Sequence, residues 1–255
     1  MKTIFITGGT ENSGYCTACH FAKNGFHVAI SSRDAGRAQE TAQRLADTYK
    51  VKAKGYGLNL SDVNDIGRVF GEIKRDFGTL DVFVANSADL GIGRGILNTT
   101  PEDFDAIVDV NYRGTFFCCQ NSARIMCQQK SGCIVIIGSI QACGGVHGRA
   151  VYGSSKGALL SLNKYLAFEL AEYGIRSNII IAGAVHSKRW NSISKDEKAL
   201  RRSRYPLGKE ASEQDIANAV YYLGTDLSAN TTGTELTIDA GLSTCLLPYK
   251  KGCVK

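Results

Sequence analysis

The stretch Thr3-Ile4-Phe5-Ile6-Thr7-Gly8-Gly9-Thr10-Glu11-Asn12-Ser13-Gly14 runs from an apolar strand pattern through a glycine-rich turn into a helical pattern. Glycine lets the backbone approach a pyrophosphate closely, and the amino end of the following helix favours negative charge. A glycine-rich turn in this position therefore predicts a nucleotide site. The cofactor contacts expected from the turn are Gly8, Thr10, Glu11, Asn12, Ser13 and Gly14.

The rest of the chain alternates short β-branched runs with longer helical patterns. Buried strands separated by helices predict a parallel sheet covered on both faces, hence one doubly wound, Rossmann-like α/β domain over residues 1–255 with seven strands. Its ligand should lie at the carboxyl ends of the strands. The strands are expected at Thr3 to Thr7, His27 to Ser32, Lys52 to Leu58, Asp81 to Ala85, Cys133 to Gly138, Arg176 to Ile181 and Glu235 to Ile238.

Length and composition exclude several classes of protein. A chain of 255 residues with net charge +6 fits one soluble domain, and the charge permits anionic ligands without calling for nucleic acid. No run reaches the roughly 18 apolar residues of a membrane span. The amino terminus opens on a strand pattern rather than a leader, which favours a cytoplasmic protein with no membrane partner.

Nine cysteines, an odd number spread over helices and strands, indicate reduced thiols rather than disulfides or a metal site. The segment Cys16-Thr17-Ala18-Cys19-His20 matches a haem attachment pattern, but it falls inside the first helix. Two cysteines three residues apart there are expected to pack on the sheet, and haem is not expected.

The second strand ends in Ser31-Ser32-Arg33, which bears on the choice of dinucleotide. A fold selective for NAD usually has a carboxylate here for the ribose hydroxyls, whereas Arg33 could pair with a 2′-phosphate. NADP(H) is therefore favoured over NAD(H), with Ser32 and Arg33 as contacts. The alternative is that Arg33 only begins a solvated loop, and Glu11 nearby would repel the phosphate.

Two further turns follow strands at the predicted binding edge. Asn59 and Leu60 follow the third strand, and Asn86, Ser87 and Ala88 follow the fourth. All five are candidate contacts on the adenine and ribose side of the cleft, although small residues also simply make tight turns.

The segment Ser139 to Lys156 predicts an acid/base centre. If Tyr152 lies at the start of a helix, Lys156 lies one turn further on the same face, where its ammonium favours the phenolate form of the tyrosine. Such a tyrosine could give a proton to a carbonyl oxygen or take one from an alcohol, with the Ser139 hydroxyl beside it. The alternative is an ordinary pair of side chains on a helix surface.

A long helix is predicted from Glu102 to Gln129, and Val110-Asn111-Tyr112-Arg113-Gly114 lies inside it. A polar asparagine with a glycine nearby predicts a kink that frees backbone groups.

With these motifs in this order and spacing, the chain resembles the short-chain dehydrogenase/reductase family of the Tyr-xxx-Lys type along essentially its whole length. The resemblance implies a catalytic tetrad of Asn111, Ser139, Tyr152 and Lys156. Tyr152 would donate or accept the proton, Ser139 would hold the substrate oxygen, and Lys156 would lower the pKa of Tyr152. Tyr152 and Lys156 would also contact the cofactor, and Asn111 would carry a water into the proton relay.

The chain departs from the family pattern mainly around the cofactor. In the glycine-rich turn, Asn12 replaces the middle glycine and Ser13 replaces the isoleucine that usually follows. Elsewhere at the cofactor site, Asn59 replaces an aspartate and Asp89 replaces a glycine. After the sixth strand, Ala182-Gly183 replaces Pro-Gly, and Gly183, Val185 and Ser187 are the expected cofactor contacts. The departures put cofactor affinity more in question than chemistry.

The substrate end is expected in three segments: Gln141 to His147, Asp89 to Ile96, and a small lobe at about 185–210. Candidate substrate contacts are Gln141, His147, His186 and Trp190, each of which could equally be lobe packing. A lobe rich in basic residues would concentrate an anionic substrate, the alternative being a solvated helix. Its basic residues are Lys188, Arg189, Lys195, Lys198, Arg201, Arg202 and Arg204.

Small residues crowd the segment from Gly153 to Ala158, and the resemblance implies a homotetramer or homodimer in which this helix pairs across the interface. The tail from Gly241 to Pro248 is expected to pack on the core or on a partner subunit.

The sequence favours an NADP(H)-dependent oxidoreductase that interconverts a ketone and a secondary alcohol. Substrate classes left open are 3-oxoacyl thioesters, hydroxysteroids, and polyols or sugars. A dinucleotide-sensing or scaffold protein without turnover, and a dehalogenase-like lyase on the same fold, are the alternatives.

Overall fold

The computed structural model of the protein describes residues 1–93, 95–187, 190 and 192–245. Its strands are β1 (Thr3–Ile6), β2 (His27–Ser32), β3 (Ala53–Gly57), β4 (Val82–Ala85), β5 (Gly132–Ile137), β6 (Ile175–Ala182) and β7 (Glu235–Ile238). Within those ranges they form one seven-stranded sheet in the order β3-β2-β1-β4-β5-β6-β7, and every pair is parallel.

Helices cover both faces of the sheet. They are α1 (Asn12–Lys23), α2 (Ala35–Tyr49), α3 (Val63–Phe77), α4 (Pro101–Val108), α5 (Thr115–Gln129), α6 (Ala150–Glu169), α7 (Lys195–Arg202) and α8 (Glu213–Gly224). This is the doubly wound Rossmann-like fold expected from the sequence.

Alternation along the strands divides the core in two. Phe5 of β1 packs on the face that includes Phe70 and Phe83, with the two rings 5.2 and 5.6 Å from its own. Its neighbours Ile4 and Ile6 face the other way, among the residues of the second cluster. A strand buried on both faces needs a continuous apolar run, which is what β1 has.

The strand order reverses between β1 and β4, so the crevice beyond their carboxyl ends is where a doubly wound fold binds its ligand. Strand ends agree with the expected ones to within one residue. Ser139 lies two residues beyond the end of β5.

The helix predicted from Glu102 to Gln129 starts at Pro101 and is interrupted by a π-helical turn, Asp109–Gly114, between α4 and α5. The interruption confirms the irregularity expected around Asn111.

Of the expected tail contacts, only Gly241 to Cys245 are described, with a short turn at Leu242–Thr244. Residues 246–248 lie outside the described part. No helix in the described ranges combines the length and the apolar character that crossing a membrane would require.

Candidate active site

A cleft of about 1210 Å³ lies at the carboxyl ends of the strands. The structure brings most of the predicted site residues to its walls. They are Gly8, Thr10, Glu11, Asn12, Ser13, Ser32, Arg33, Asn59, Leu60, Asn86, Ser87, Ala88, Ser139, Gln141, Tyr152, Lys156, Gly183, Val185, His186, Ser187 and Trp190. Three predicted residues do not line it: Gly14, Asn111 and His147.

The glycine-rich turn has the geometry that its sequence requires. Gly8 has φ of +65°, and a Cβ on Gly14 would overlap the carbonyl oxygen of Gly8. Gly14 therefore supports the turn from beneath instead of facing the cleft. Asn12 occupies the left-handed region with φ of +48°, which asparagine tolerates better than most residues. The missing glycine thus leaves the turn intact.

The turn is tied to the end of β4 by a small hydrogen-bond network. Asn86 Nδ2 donates to the carbonyl oxygens of Thr7 and Gly8 at 3.0 and 3.2 Å. Thr7 Oγ1 accepts from the backbone N–H groups of Asn86 and Ser87, and Ser13 Oγ donates to Asn86 Oδ1 at 3.2 Å. The two loops flanking the crevice are therefore one rigid unit.

The far end of the cleft combines two arginines with one carboxylate. Arg33 is exposed beyond β2, and Arg37, also at the cleft wall, pairs with Glu11 at 2.8 Å. Both partners of this ion pair are about half exposed, so an incoming anion can compete for the guanidinium.

The three acid/base candidates Ser139, Tyr152 and Lys156 all line this cleft. Ser139 and Tyr152 are each 7% exposed, and Lys156 is 3% exposed. The Lys156 Nζ lies 5.8 Å from the centre of the Tyr152 ring. Ser139 Oγ accepts from the backbone N–H of Gln141 at 3.2 Å, which leaves its own proton to donate.

Burial lowers the pKa of the Lys156 ammonium from 10.5 to about 8, because the charged form has lost its water. The Nζ donates a hydrogen bond to the carbonyl oxygen of Ile137.

Asn111 sits in the π-helical turn, and its side chain holds a loop. The amide donates to Asp89 O at 2.8 Å and to Ser155 Oγ at 3.1 Å, and its oxygen accepts from Asp89 N at 2.7 Å. These bonds bracket Asp89 at the cleft wall. The expectation that Asn111 carries a water therefore cannot rest on its side-chain amide, because both the donor and the acceptor are engaged.

The loop beyond β6 closes the opposite wall. A Cβ on Gly183 would lie 2.7 Å from the Cβ of Asp239, so glycine is needed for this close approach. Val185 pairs with Ala211 in an isolated parallel bridge, which fixes the loop that carries Ser187.

The substrate end is built around a buried carboxylate. Glu210, whose side chain is 4% exposed, accepts from Arg202 Nε and Nη2 at 2.7 and 2.6 Å. Its Oε1 also lies 2.9 Å from His186 Nδ1. The Arg202 guanidinium, followed by His186, outweighs desolvation and lowers the pKa of Glu210 from 4.5 to about 2. The carboxylate is therefore charged at neutral pH.

Trp190 is 5% exposed and contacts two residues of the same wall. The His186 ring stacks on it with centroids 5.8 Å apart, and the Arg201 guanidinium lies 5.7 Å from its ring centre. By contrast, His147 is exposed and is not among the residues that line the cleft.

The basic lobe presents less free charge than its residue count implies. Arg202 is engaged by Glu210, and Arg201 pairs with Glu197 at 2.6 Å. Lys188 and Arg189 lie outside the described residues.

Residues 10–243 match a family model described as enoyl-(acyl carrier protein) reductase. The chain belongs to the short-chain dehydrogenase/reductase family. Sorbose reductase SOU1 of Candida albicans is 32% identical over 94% of this chain and 86% of its own length. The 3-oxoacyl-[acyl-carrier-protein] reductase FabG of Aquifex aeolicus is 31% identical over 94% of this chain and 97% of its own. A solved structure of ElxO with NADP bound has a TM-score of 0.88 at 30% identity, covering 96% of this chain and 99% of that one.

This short-chain dehydrogenase/reductase is thus an NAD(P)-dependent oxidoreductase that acts on CH–OH and C=O groups. The cleft fits a dinucleotide on its own evidence. The glycine-rich turn and the amino end of α1 face one part of it, and α1 carries no acidic residue in its first turn.

Sequence reasoning missed three residues at this site. Arg37 follows Arg33 by four residues, a spacing that could have revealed it. Arg149 lines the cleft three residues before Tyr152, donates to the carbonyl oxygen of Leu90, and lies 5.9 Å from the Tyr152 ring centre. Glu210 gave no signal, because it is 24 residues away from His186 in the chain.

Proposed function

We propose that this short-chain dehydrogenase/reductase is an NADP(H)-dependent enzyme that interconverts a ketone and a secondary alcohol with Tyr152 as the general acid and base. The observation that carries the proposal is the meeting of Ser139, Tyr152 and the buried ammonium of Lys156 in a cleft whose other end is the glycine-rich turn. Such a centre handles a proton beside a dinucleotide site.

In the reductive direction, Tyr152 donates its phenolic proton to the carbonyl oxygen of the substrate. Ser139 donates a hydrogen bond to the same oxygen and stabilises the charge that develops there. A bound nicotinamide supplies the hydride to the carbonyl carbon. In the oxidative direction the proton moves the other way, from alcohol to phenolate.

Lys156 lowers the cost of the phenolate by placing a poorly solvated positive charge beside the Tyr152 ring. It would also hold the ribose next to the nicotinamide. Asn111 contributes by positioning Asp89 and, through its backbone carbonyl in the π-helical turn, by offering an acceptor for a relay water. Gly183, Val185 and Ser187 would hold the carboxamide side.

The preference for NADP(H) is supported by two arginines at the end of the cleft beyond β2. Arg33 and Arg37 both line it, and guanidinium groups pair well with a phosphate. Glu11 opposes this preference because it already pairs with Arg37. ElxO, which is similar over nearly its whole length, was solved with NADP bound.

The substrate is proposed to be a small carbonyl compound or the corresponding alcohol, held by Gln141, His186 and Trp190 in the lobe at about 185–210. Sorbose reductase and FabG, the relatives described above, act on a sugar and on an acyl thioester by their names. A homotetramer or homodimer with α6 at an interface is part of the same proposal.

The test is NADPH oxidation over a panel of ketones, followed by absorbance, with NADH in parallel and Tyr152→Phe as the control. Turnover with NADPH that falls by about 10²-fold or more in Tyr152→Phe is expected, since that is the usual size of a general acid's contribution. Equal turnover by the variant would reject the role of Tyr152.

Cofactor binding is measured on the same samples. Tight NADPH binding without turnover in either direction would favour a dinucleotide sensor. Halide release from a halogenated alcohol without any dinucleotide would favour the lyase.

A further inference from the structure

The ring of His186 is held in one orientation by a carboxylate that is already neutralised. Glu210 accepts two hydrogen bonds from Arg202, so the charge of Glu210 is matched before His186 is counted. A carboxylate only accepts, so His186 Nδ1 must carry the proton in the 2.9 Å bond between them.

In a neutral imidazole with its proton on Nδ1, Nε2 is an acceptor. Among the described residues, His186 Nε2 has no hydrogen-bond partner, and the side chain is 47% exposed at the cleft wall. The ring stacks on Trp190 at an interplanar angle of 27° and is held at Nδ1 by Glu210, so the acceptor has a defined direction.

A second acceptor in the same cleft lacks a partner among the described residues. Gln141 Oε1 is buried and makes no hydrogen bond to the described residues, although Gln141 lines the cleft. An unmatched buried acceptor is unfavourable, so a donor that reached it would bind favourably. The Asp89 carboxylate, which lines the cleft too, is a third acceptor, with Oδ1 engaged by Gly91 N.

Three acceptors that line one cleft, His186 Nε2, Gln141 Oε1 and the Asp89 carboxylate, match a ligand that offers hydrogen-bond donors. Hydroxyl groups are donors, whereas a carboxylate or phosphate is not. Of the two arginines described on this side, Arg202 is held by the buried Glu210, and Arg201 pairs with Glu197 and lies over the Trp190 ring.

We propose that the carbonyl substrate is polyhydroxylated and that His186, oriented by Glu210, accepts a hydrogen bond from one of its hydroxyl groups. This proposal rests on the proposed function and narrows its substrate class. His186 is thus a specificity-determining residue, and Glu210 is a positioning residue that acts through it.

The test compares two ketones with the same four-carbon skeleton, erythrulose and butanone, with acetoacetate as the anionic member. We expect wild-type kcat/KM to be highest for erythrulose. His186→Phe should lower kcat/KM for erythrulose about tenfold, mainly through KM, and leave butanone within about twofold, as expected for one lost hydrogen bond in a cleft. His186→Gln, which keeps an acceptor, should recover part of the loss.

Two variants separate specificity from structure. His147→Phe is the matched histidine control, since His147 is exposed and away from the cleft wall, and its ratio of erythrulose to butanone should equal that of wild type. Glu210→Gln should change the same ratio in the direction of His186→Phe, because the ring is less firmly held. An equal loss for butanone and erythrulose in His186→Phe would overturn the proposal.

Binding is measured independently of turnover. Trp190 is the chain's single tryptophan, so its fluorescence reports ligands at this wall. Erythrulose, titrated into the NADP⁺-saturated protein, should change the emission at lower concentration than butanone does, and His186→Phe should abolish the difference.

If no ketone is reduced but erythrulose still binds in preference, the proposed function fails and the polyhydroxylated ligand class stands. If acetoacetate binds most tightly and His186→Phe weakens it, the ligand is an anion and this inference is wrong.

Discussion

Lys156 of α6 donates a hydrogen bond of 2.7 Å from Nζ to the backbone carbonyl oxygen of Ile137, the last residue of β5. The bond joins the helix that carries Tyr152 to the strand that precedes Ser139. Within the described residues, no carboxylate lies in ion-pair distance of this Nζ. The buried ammonium of Lys156 is therefore stabilised by the Ile137 carbonyl and by no carboxylate among the described residues. An uncharged side chain of similar size at this position would make the folded protein more stable.

Lys156→Met should stabilise the protein at pH 7 while removing activity. The pKa of Lys156 is lowered from 10.5 to about 8, which corresponds to a cost of about 3 kcal/mol for the charged form, less about 1 kcal/mol for the lost bond to Ile137. We expect the free energy of unfolding, from urea denaturation, to rise by about 2 kcal/mol.

The pH dependence of that difference gives the sharper test. Between pH 8 and 10.5 the unfolded wild type keeps the Lys156 proton and the folded form has lost it, so wild-type stability rises with pH. The variant lacks this group, so its advantage should shrink between pH 7 and pH 10. A constant difference would mean that Lys156 titrates normally.

Ser139→Ala should lower kcat/KM for a ketone by about 10²-fold, because a hydrogen bond to the developing oxyanion is lost. The dissociation constant for NADPH should stay within about twofold. Ser154→Ala, at an exposed position of α6, is the matched control and should behave as wild type. Loss of NADPH affinity in Ser139→Ala would show that Ser139 is needed for the cofactor site instead.

Arg33→Ala and Arg37→Ala should each weaken NADPH binding by roughly 10- to 100-fold and NADH binding much less, since a charge-assisted bond to phosphate is worth about 1.5–3 kcal/mol. Glu11→Gln should tighten NADPH binding by releasing Arg37 from its ion pair. Fluorescence titration of both dinucleotides checks this. Equal losses for NADPH and NADH would remove the argument for a 2′-phosphate contact.

Glu210→Gln should destabilise the lobe in a pH-dependent way. Arg202 lowers the pKa of Glu210 from 4.5 to about 2, so the carboxylate contributes stability above about pH 4.5, and that stability is lost as the pH falls through about 2. At pH 7 we expect the variant to lose about 1–3 kcal/mol. In thermal denaturation, the wild type and the variant should converge as the pH approaches 2.

At position 12, substitution by glycine should leave the stability of the protein nearly unchanged, whereas substitution by alanine should lower it. Its φ of +48° costs an ordinary side chain roughly 1 kcal/mol or more, so Asn12→Ala should lower the free energy of unfolding by about that amount. Asn12→Gly should change it by only a few tenths, because glycine enters this region freely. Equal losses in both variants would mean that the Asn12 side chain, not its backbone, supports the turn.

The sequence predicted the parallel sheet and both loops of the crevice, because strand periodicity and glycine punctuation are local signals. The spacing of Ser139, Tyr152 and Lys156 predicted one common site, and all three line the cleft. The partner of His186 could not be predicted in this way. Glu210 lies 24 residues further along the chain and reaches the ring only after the lobe has folded back. His147 does not line the cleft, because nearness in sequence to Ser139 does not determine which loop residues reach the wall.

The sequence predicted a kink in the helix at Asn111, but it did not predict the hydrogen bonds of the Asn111 side chain to Asp89 and Ser155. A helical pattern shows where an interruption falls, and it does not show which loop the freed side chain meets. The hydrogen bonds between Asn111 and Asp89 join residues 22 positions apart in the chain, so they form only when the helix packs beside the loop that follows β4.

The length of the π-helical turn Asp109–Gly114 also determines how α4 and α5 are rotated relative to each other. Each residue of an α-helix adds about 100° of rotation about the helix axis. The number of residues in the π-helical turn therefore determines which faces α4 and α5 present to the core. Deleting one residue would keep the composition of the segment yet rotate either Asn111 away from Asp89 or Cys118 and Met126 out of the core. Deleting one residue here should therefore destabilise the fold more than most single substitutions do. In a library of variants, folded proteins with substitutions at these positions should be recovered, and those with a residue deleted should not.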